Sequence, residues 1–191
     1  MRIFLVRHGE TGWKKKGFLS YTDITLTKKG LDQAKNLAKK LKNEKIDVIY
    51  SSPLKRCVQT ANYIAKELGM KVTIDKRLME VNFGIFEGLS TEEAKRKFPE
   101  IFSKRRKNKW KFRIPRGESY EDAAKRVSRL INEIKNTYSS VVFVTHATII
   151  KVILKQFTNK TLKEIEDKHY KPACLIVLEI NPISKTQTFK K

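Results

Sequence analysis

Met1-Arg2-Ile3-Phe4-Leu5-Val6-Arg7-His8-Gly9 is the stretch on which the reading of the fold depends. Ile3–Val6 is an unbroken apolar run that stops abruptly at Arg7-His8, and it predicts a short buried strand. Val141–Val144 has the same form and ends at Thr145-His146. Ile46–Tyr50 is a third such run, broken by Ser51-Ser52-Pro53, and Val72–Ile74 and Cys174–Ile180 add two more. Helical patterns lie between them. Thr27 caps a helix to about Lys42 with Leu31, Ala34, Leu37, Ala38 and Leu41 on one stripe. A second runs from Leu54 to Leu68 and closes at Gly69. Ser119 caps another to about Tyr138, followed by Ala147–Phe157 and Leu162–Lys168. Thr91–Phe98 is a short helix stopped by Pro99, whereas Leu78–Gly88 is irregular and Ser103–Arg116 is a basic segment with aromatics. Strands alternating with helices predict an α/β sandwich with a mostly parallel sheet.

The length of 191 residues favours one domain, 1–191, large enough to bury its own core. Apolar residues at 40%, with 8 Gly and 5 Pro, exclude collagen-like and Pro/Gly-rich disordered chains. No apolar run is long enough to span a bilayer, and Ile3–Val6 is too short for a signal-peptide core, so a cytoplasmic protein is expected. Cys57 and Cys174 lie far apart with no second pair, and are read as reduced thiols. The formal net charge is +22, which draws anions of any kind: nucleic acid, anionic lipid or a phosphorylated small molecule.

Ligands of open α/β sheets collect at the carboxyl ends of strands. Arg7-His8, Ser51-Ser52 and Thr145-His146 each follow a strand, and Arg56 lies one helical turn beyond the second. The set offers one pocket with two guanidinium forks and two imidazoles, and His146 precedes a helix whose first amides, near Ala147, favour anions. Arginine matches phosphate bidentately, and an imidazole can attack phosphorus. There is no Walker-type loop, no His/Cys cluster with metal spacing and no acidic cluster for magnesium, so neither metal nor cofactor is expected.

Six ordered blocks carry a family resemblance across nearly the whole chain. They are Leu5–Thr11, Asp23–Ala34, Ser51–Ala61, Asn82–Gly88, Pro115–Ser119 and Val144–His146. Together they resemble the histidine phosphatase superfamily, in its phosphoglycerate mutase-like branch, and within it the compact phosphatases of the α-ribazole phosphatase kind. The resemblance implies a three-layer α/β/α sandwich and a phosphohistidine mechanism. On that pattern His8 is the nucleophile, and Arg7, Arg56 and His146 hold the phosphoryl oxygens. Glu80 is the general acid, a role that suits a desolvated carboxyl, with Glu87 as its rival. Thr11 donates into the pocket and Glu10 supports the loop.

The sequence also departs from the family. Lys14 stands where Asn is usual after Trp13, and either reaches the anion or points to water. Gly17-Phe18-Leu19-Ser20-Tyr21 replaces Gly-Arg-x-Gln-Gly, and Ala147 replaces a Gly whose backbone amide alone would be used. Of the remaining candidates, His169 is expected at the surface and Cys57 on the buried side of its helix. Trp110, Phe112 and Tyr120 among basic residues belong either to a nucleic-acid surface or to a cap at about 89–116 over the active site, and the cap is preferred. Three functions follow: a metal-independent phosphomonoesterase on a small phosphorylated metabolite, a cofactor-dependent phosphoglycerate mutase, and a non-catalytic phosphate or nucleic-acid binding module. The first is the reading adopted, with no specific nucleic-acid or membrane partner. The oligomeric state is left open, a homodimer included.

Overall fold

The computed structural model describes residues 1–180; the polar tail lies outside the described residues. Five strands form one sheet: β1 (Arg2–Arg7), β2 (Val48–Ser51), β3 (Val72–Ile74), β4 (Ser140–Thr145) and β5 (Leu175–Glu179). Their order is β3-β2-β4-β1-β5, with every pairing parallel except that of β5 with β1. The central strands β1 and β4 pair from Arg2↔Ser140 to Arg7↔Thr145, so Arg7-His8 and Thr145-His146 leave the same edge side by side.

Alternation along β1 divides the core in two. Ile3 and Leu5 join Val141 and Phe143 on one face. Phe4 and Val6 join Val142 and Val144 on the other. The second face is covered by α1 (Lys28–Leu41) and α2 (Lys55–Leu68), through Leu37, Ala38, Leu41, Ala61 and Ile64. The first is covered by α5 (Tyr120–Ile134) and α6 (Ala147–Phe157), with α7 (Leu162–Glu166) alongside. This is a three-layer sandwich with helices on both faces, as the alternating pattern requires. Each fully buried aliphatic or Phe side chain contributes roughly 1.5–3 kcal/mol to the assembly. No helix among the described residues is long and apolar enough to cross a membrane.

Local chemistry explains the boundaries. Thr27 caps α1 by accepting from the Gly30 amide at 3.0 Å. Leu54, the N-cap of α2, has no capping side chain, and Asp23 takes over by accepting from the Lys55 amide at 2.7 Å. Ser119 and Asp122 form a capping box at α5. Two expectations are corrected. Pro99 ends α3 (Thr91–Lys97), but it also opens another helix, α4 (Pro99–Lys107), because a first-turn residue needs no N–H partner. Part of the basic segment is therefore helical. The helix after Ser119 stops at Ile134 rather than Tyr138, since the Thr137 and Tyr138 amides both turn back to the Ile134 carbonyl.

Candidate active site

The carboxyl ends of β1, β2 and β4 open into a cavity of about 320 Å³. Arg7, His8, Arg56, Glu80 and His146 line it, together with Thr11, Ala147 and Thr148. Gly9 lets the loop after β1 lie against α1: a Cβ there would meet the Gly30 carbonyl oxygen at 2.5 Å. The Gly9 amide donates to Thr60 Oγ1 at 3.0 Å, and that hydroxyl donates to the Arg56 carbonyl at 2.8 Å, so α2 and the His8 loop are tied together.

His8 is buried, and its Nδ1 lies 2.8 Å from the Gly9 carbonyl oxygen. A carbonyl only accepts, so Nδ1 carries the proton and the lone pair of the neutral ring sits on Nε2. Burial, reinforced by Arg7 and Arg56, pushes the His8 pKa down to about 3. His146 packs edge-on at a centroid distance of 5.3 Å, with its Nε2 2.9 Å from Ser52 Oγ and 3.4 Å from Cys57 Sγ. Burial, then Arg56 and His8, hold it well below the ordinary histidine range as well. Cys57 is fully buried, as expected, and burial pushes its thiol up to about 12. It is no nucleophile at neutral pH.

The two arginines are held by backbone alone. Arg7 donates to the Tyr170 carbonyl at 2.5 Å. Arg56, only 1% exposed, donates to the Ser20 and Thr22 carbonyls at 2.8 and 2.9 Å. In both guanidinium groups Nε is buried without a partner. Glu80 is buried at the start of α6, accepting from the Val81 amide at 2.9 Å and the Thr148 amide at 3.3 Å. Burial raises its pKa, and the two amides and the nearby Arg56 and Arg7 offset that only in part.

The sequence-predicted residues are otherwise distributed as follows. Glu87 is committed elsewhere: its carboxylate accepts from the amides and hydroxyls of Ser20 and Thr22. Burial opposes its ionisation, but those bonds hold its pKa below the usual range. It therefore fixes the loop whose carbonyls grip Arg56. Glu10 supports its loop, as expected, by accepting at its carbonyl from the Thr27 amide and pairing with Lys29. Thr11 bridges to Leu26 at the cavity wall. Lys14 is exposed and absent from the lining, which takes Trp13, Lys15, Lys16 and Leu19 instead. None of the lining comes from 89–116. That segment stands behind the rim: the Thr91 amide donates to the Lys16 carbonyl at 3.0 Å, and the Phe18 amide to the Leu89 carbonyl at 2.9 Å. Tyr120 is buried against Arg105, and Trp110 and Phe112 pack on the core.

Sequence reasoning missed four supports: Ser52, Thr60, the Tyr170 carbonyl, and an Arg126–Glu118 pair. Arg126 reaches the carbonyls of Arg77, Met79 and Glu80, and Glu118 accepts from the Asn82 amide at 3.0 Å. Together they clamp the segment that presents Glu80. Ser52 and Thr60 lay within quoted blocks, and Thr60 follows Arg56 by one helical turn. The other two depend on contacts distant in sequence. Among the described residues, no three His, Cys, Asp or Glu side chains gather to hold an ion.

The family model of the histidine phosphatase superfamily (branch 1) matches residues 3–188, and the chain belongs to that superfamily. It is 34% identical over 156 residues to phosphoserine phosphatase 1 of Hydrogenobacter thermophilus, covering 80% of this chain and 74% of that one. It is 35% identical over 167 residues to 6-phosphofructo-2-kinase/fructose-2,6-bisphosphatase of Arabidopsis thaliana, covering 85% of this chain but only 22% of that protein. The crystal structure of the alpha-ribazole phosphatase from Shigella flexneri superposes with a TM-score of 0.83 at 26% identity, covering 100% of this chain and 95% of that one.

Proposed function

We propose that this protein hydrolyses phosphomonoesters of small phosphorylated metabolites through a phosphohistidine at His8. The observation that carries the reading is the cavity floor: a neutral imidazole with its lone pair on Nε2, beside two buried guanidinium groups whose Nε–H donors have no partner. Both guanidinium groups line the cavity, and arginine matches a phosphoryl group in charge and geometry. The named phosphatases among the similar proteins support the same chemistry.

In the first step His8 Nε2 attacks phosphorus, a P–N bond forms and the ester P–O bond breaks. Arg7 and Arg56 neutralise the equatorial oxygens, with His146 beside them. Glu80 gives its proton to the leaving alkoxide, which departs as the alcohol. In the second step the Glu80 carboxylate takes a proton from water as that water attacks phosphorus. The P–N bond breaks, inorganic phosphate leaves, and His8 and Glu80 return to their starting forms. The two pKa shifts run in opposite directions, His8 down and Glu80 up. Burial thus keeps the nucleophile neutral into the acid range and favours the protonated form of the acid, which is the sense in which we assign an acid-type histidine phosphatase. No step uses a metal or cofactor.

Hydrolysis of p-nitrophenyl phosphate and of alkyl phosphates with EDTA present, beside a 3-phosphoglycerate mutase assay, tests the reading. EDTA-resistant hydrolysis exceeding mutase turnover is expected. A metal requirement, or mutase turnover exceeding hydrolysis, contradicts it.

A further inference from the structure

The sheet itself places Ser52 beside His146. β2 and β4 are parallel neighbours with Ser51 opposite Val144, and the Ser52 amide extends that pairing by donating to the Val144 carbonyl at 3.0 Å. Pro53 disfavours a helical Ser52, so α2 begins only after it. Ser52 and His146 are both buried, and Ser52 Oγ lies 2.9 Å from His146 Nε2.

The groups around this contact decide which side donates. The Leu54 amide reaches Ser52 Oγ at 3.4 Å, and an amide N–H takes only a lone pair there. Cys57 Sγ lies 3.4 Å from Nε2 and donates to the Thr145 carbonyl at 3.5 Å. Ser52 is also within reach of that sulfur, but a thiol sulfur is a weak acceptor and a bare imidazole nitrogen a good one. The hydroxyl proton therefore goes to Nε2. Burial, then Arg56 and His8, keep the His146 ring neutral, so it carries a single N–H. With Nε2 accepting, that proton is on Nδ1, whose nearest recorded partner is the Cys57 sulfur at 3.9 Å.

We propose that Ser52 is a positioning residue that fixes the tautomer of His146, so that His146 offers an Nδ1–H donor to the cavity it lines while His8 offers an Nε2 lone pair. The Gly9 carbonyl and the Ser52 hydroxyl thus sort two imidazoles, 5.3 Å apart, into opposite roles. A His146 lone pair would repel phosphoryl oxygens, whereas an N–H attracts them. The tautomer is a property of the free protein; its consequence for phosphoryl transfer rests on the proposed function.

Long-range nitrogen–proton NMR of the full chain at neutral pH reads the ring tautomers, with His8→Asn and His146→Asn assigning the signals. An Nδ1–H pattern is expected for both rings. In Ser52→Ala the His146 proton should move to Nε2, where the Cys57 sulfur can accept it, while His8 stays unchanged. Ser52→Thr, which keeps the hydroxyl, should retain Nδ1–H on His146. The proposal is overturned by a His146 proton on Nε2 in the parent, or by an Nδ1–H pattern that survives in Ser52→Ala. The parent spectrum decides the first point without any variant at Ser52. Inorganic phosphate, titrated in the same experiment, should bind Ser52→Ala about tenfold more weakly than the parent, as for one lost hydrogen bond to a charged group. The kcat for p-nitrophenyl phosphate should fall by roughly 10–10²-fold in Ser52→Ala and recover in Ser52→Thr. Unchanged phosphate affinity and kcat in Ser52→Ala would overturn the link to phosphoryl transfer. A parent with the expected tautomers and no hydrolysis would overturn the preceding reading and leave the tautomer assignment standing, so the two fail separately.

Discussion

At the floor of the active-site cavity, Arg7 and Arg56 are held by carbonyl oxygens alone and keep buried Nε–H groups without partners. At and behind its rim three cations have partners of their own. Lys15 pairs with Glu93 at 2.9 Å, and Arg113 with Asp122 at 2.9 Å. Arg105 sits among the rings of Phe18, Phe83 and Tyr120 at 5.2–5.9 Å, with a hydrogen bond to the Tyr120 hydroxyl. The floor cations keep donors without partners in a rigid scaffold, whereas these three are each matched by a carboxylate or by aromatic rings. The difference assigns binding and chemistry to the floor, and shape to the rim. Substitutions at the floor should therefore cost activity far more than stability, and the reverse should hold behind the rim.

The largest effect is expected for His8→Ala, which removes the proposed nucleophile: hydrolysis of p-nitrophenyl phosphate should fall by roughly 10⁴-fold or more. Retained activity would break the contrast at its base. Burial of the same residue has a stability signature. His8 is neutral in the fold down to a pKa of about 3, whereas an unfolded histidine binds its proton near pH 6.5. Between those values the unfolded chain carries the extra proton, so stability rises with pH across the window and is lost as pH falls through it. Linkage sets the full effect at roughly 5 kcal/mol. Denaturant unfolding at several pH values should show a shallower slope in His8→Asn than in the parent.

Arg56→Met should lower kcat/KM by about 10²–10³-fold, since it removes a preorganised cation from the proposed phosphoryl site. A loss confined to KM would make Arg56 a ground-state binder only. Glu80→Gln should slow alkyl phosphates by about 10²-fold while p-nitrophenyl phosphate, with its good leaving group, changes far less. Equal losses on both would remove Glu80 as the general acid. Smallest in activity is Arg105→Met. It should cost about 1–2 kcal/mol of stability through its lost ring contacts, measured by denaturant midpoint, with only a small change in kcat. A large loss of kcat there would erase the division between floor and rim.

The same division accounts for what was legible in the sequence. Ile3–Val6 and Val141–Val144 are buried on both faces, so they appear as unbroken apolar runs, and the residues that follow them fall at strand ends by construction. His8, Arg7, His146 and Arg56 were therefore locatable from local pattern. The rim was not. Whether Lys14 or its neighbours line the cavity depends on the bond between the Thr91 amide and the Lys16 carbonyl, across 75 positions of chain. The segment 89–116, expected above the cavity, supports the 15–18 loop from behind, and no helical period announces that packing. Pro99 showed the same limit: its effect on the helix before it was readable, but α4 depends on Ile101 and Phe102 packing against the core. Glu87 and Glu80 were distinguishable only by the family pattern, and the geometry gives the physical reason. One carboxyl is saturated by Ser20 and Thr22, which lowers its pKa, while burial raises that of the other.

The central claim is that His8 becomes phosphorylated. Rapid mixing with p-nitrophenyl phosphate, quenching in base to preserve a P–N bond, and mass spectrometry of the digested protein tests it directly. The account predicts one phosphoryl group on the peptide containing His8, lost on mild acid treatment and absent from His8→Ala. Hydrolysis that proceeds with no phosphorylated peptide at any quench time, or with the phosphoryl group on another residue, would contradict it.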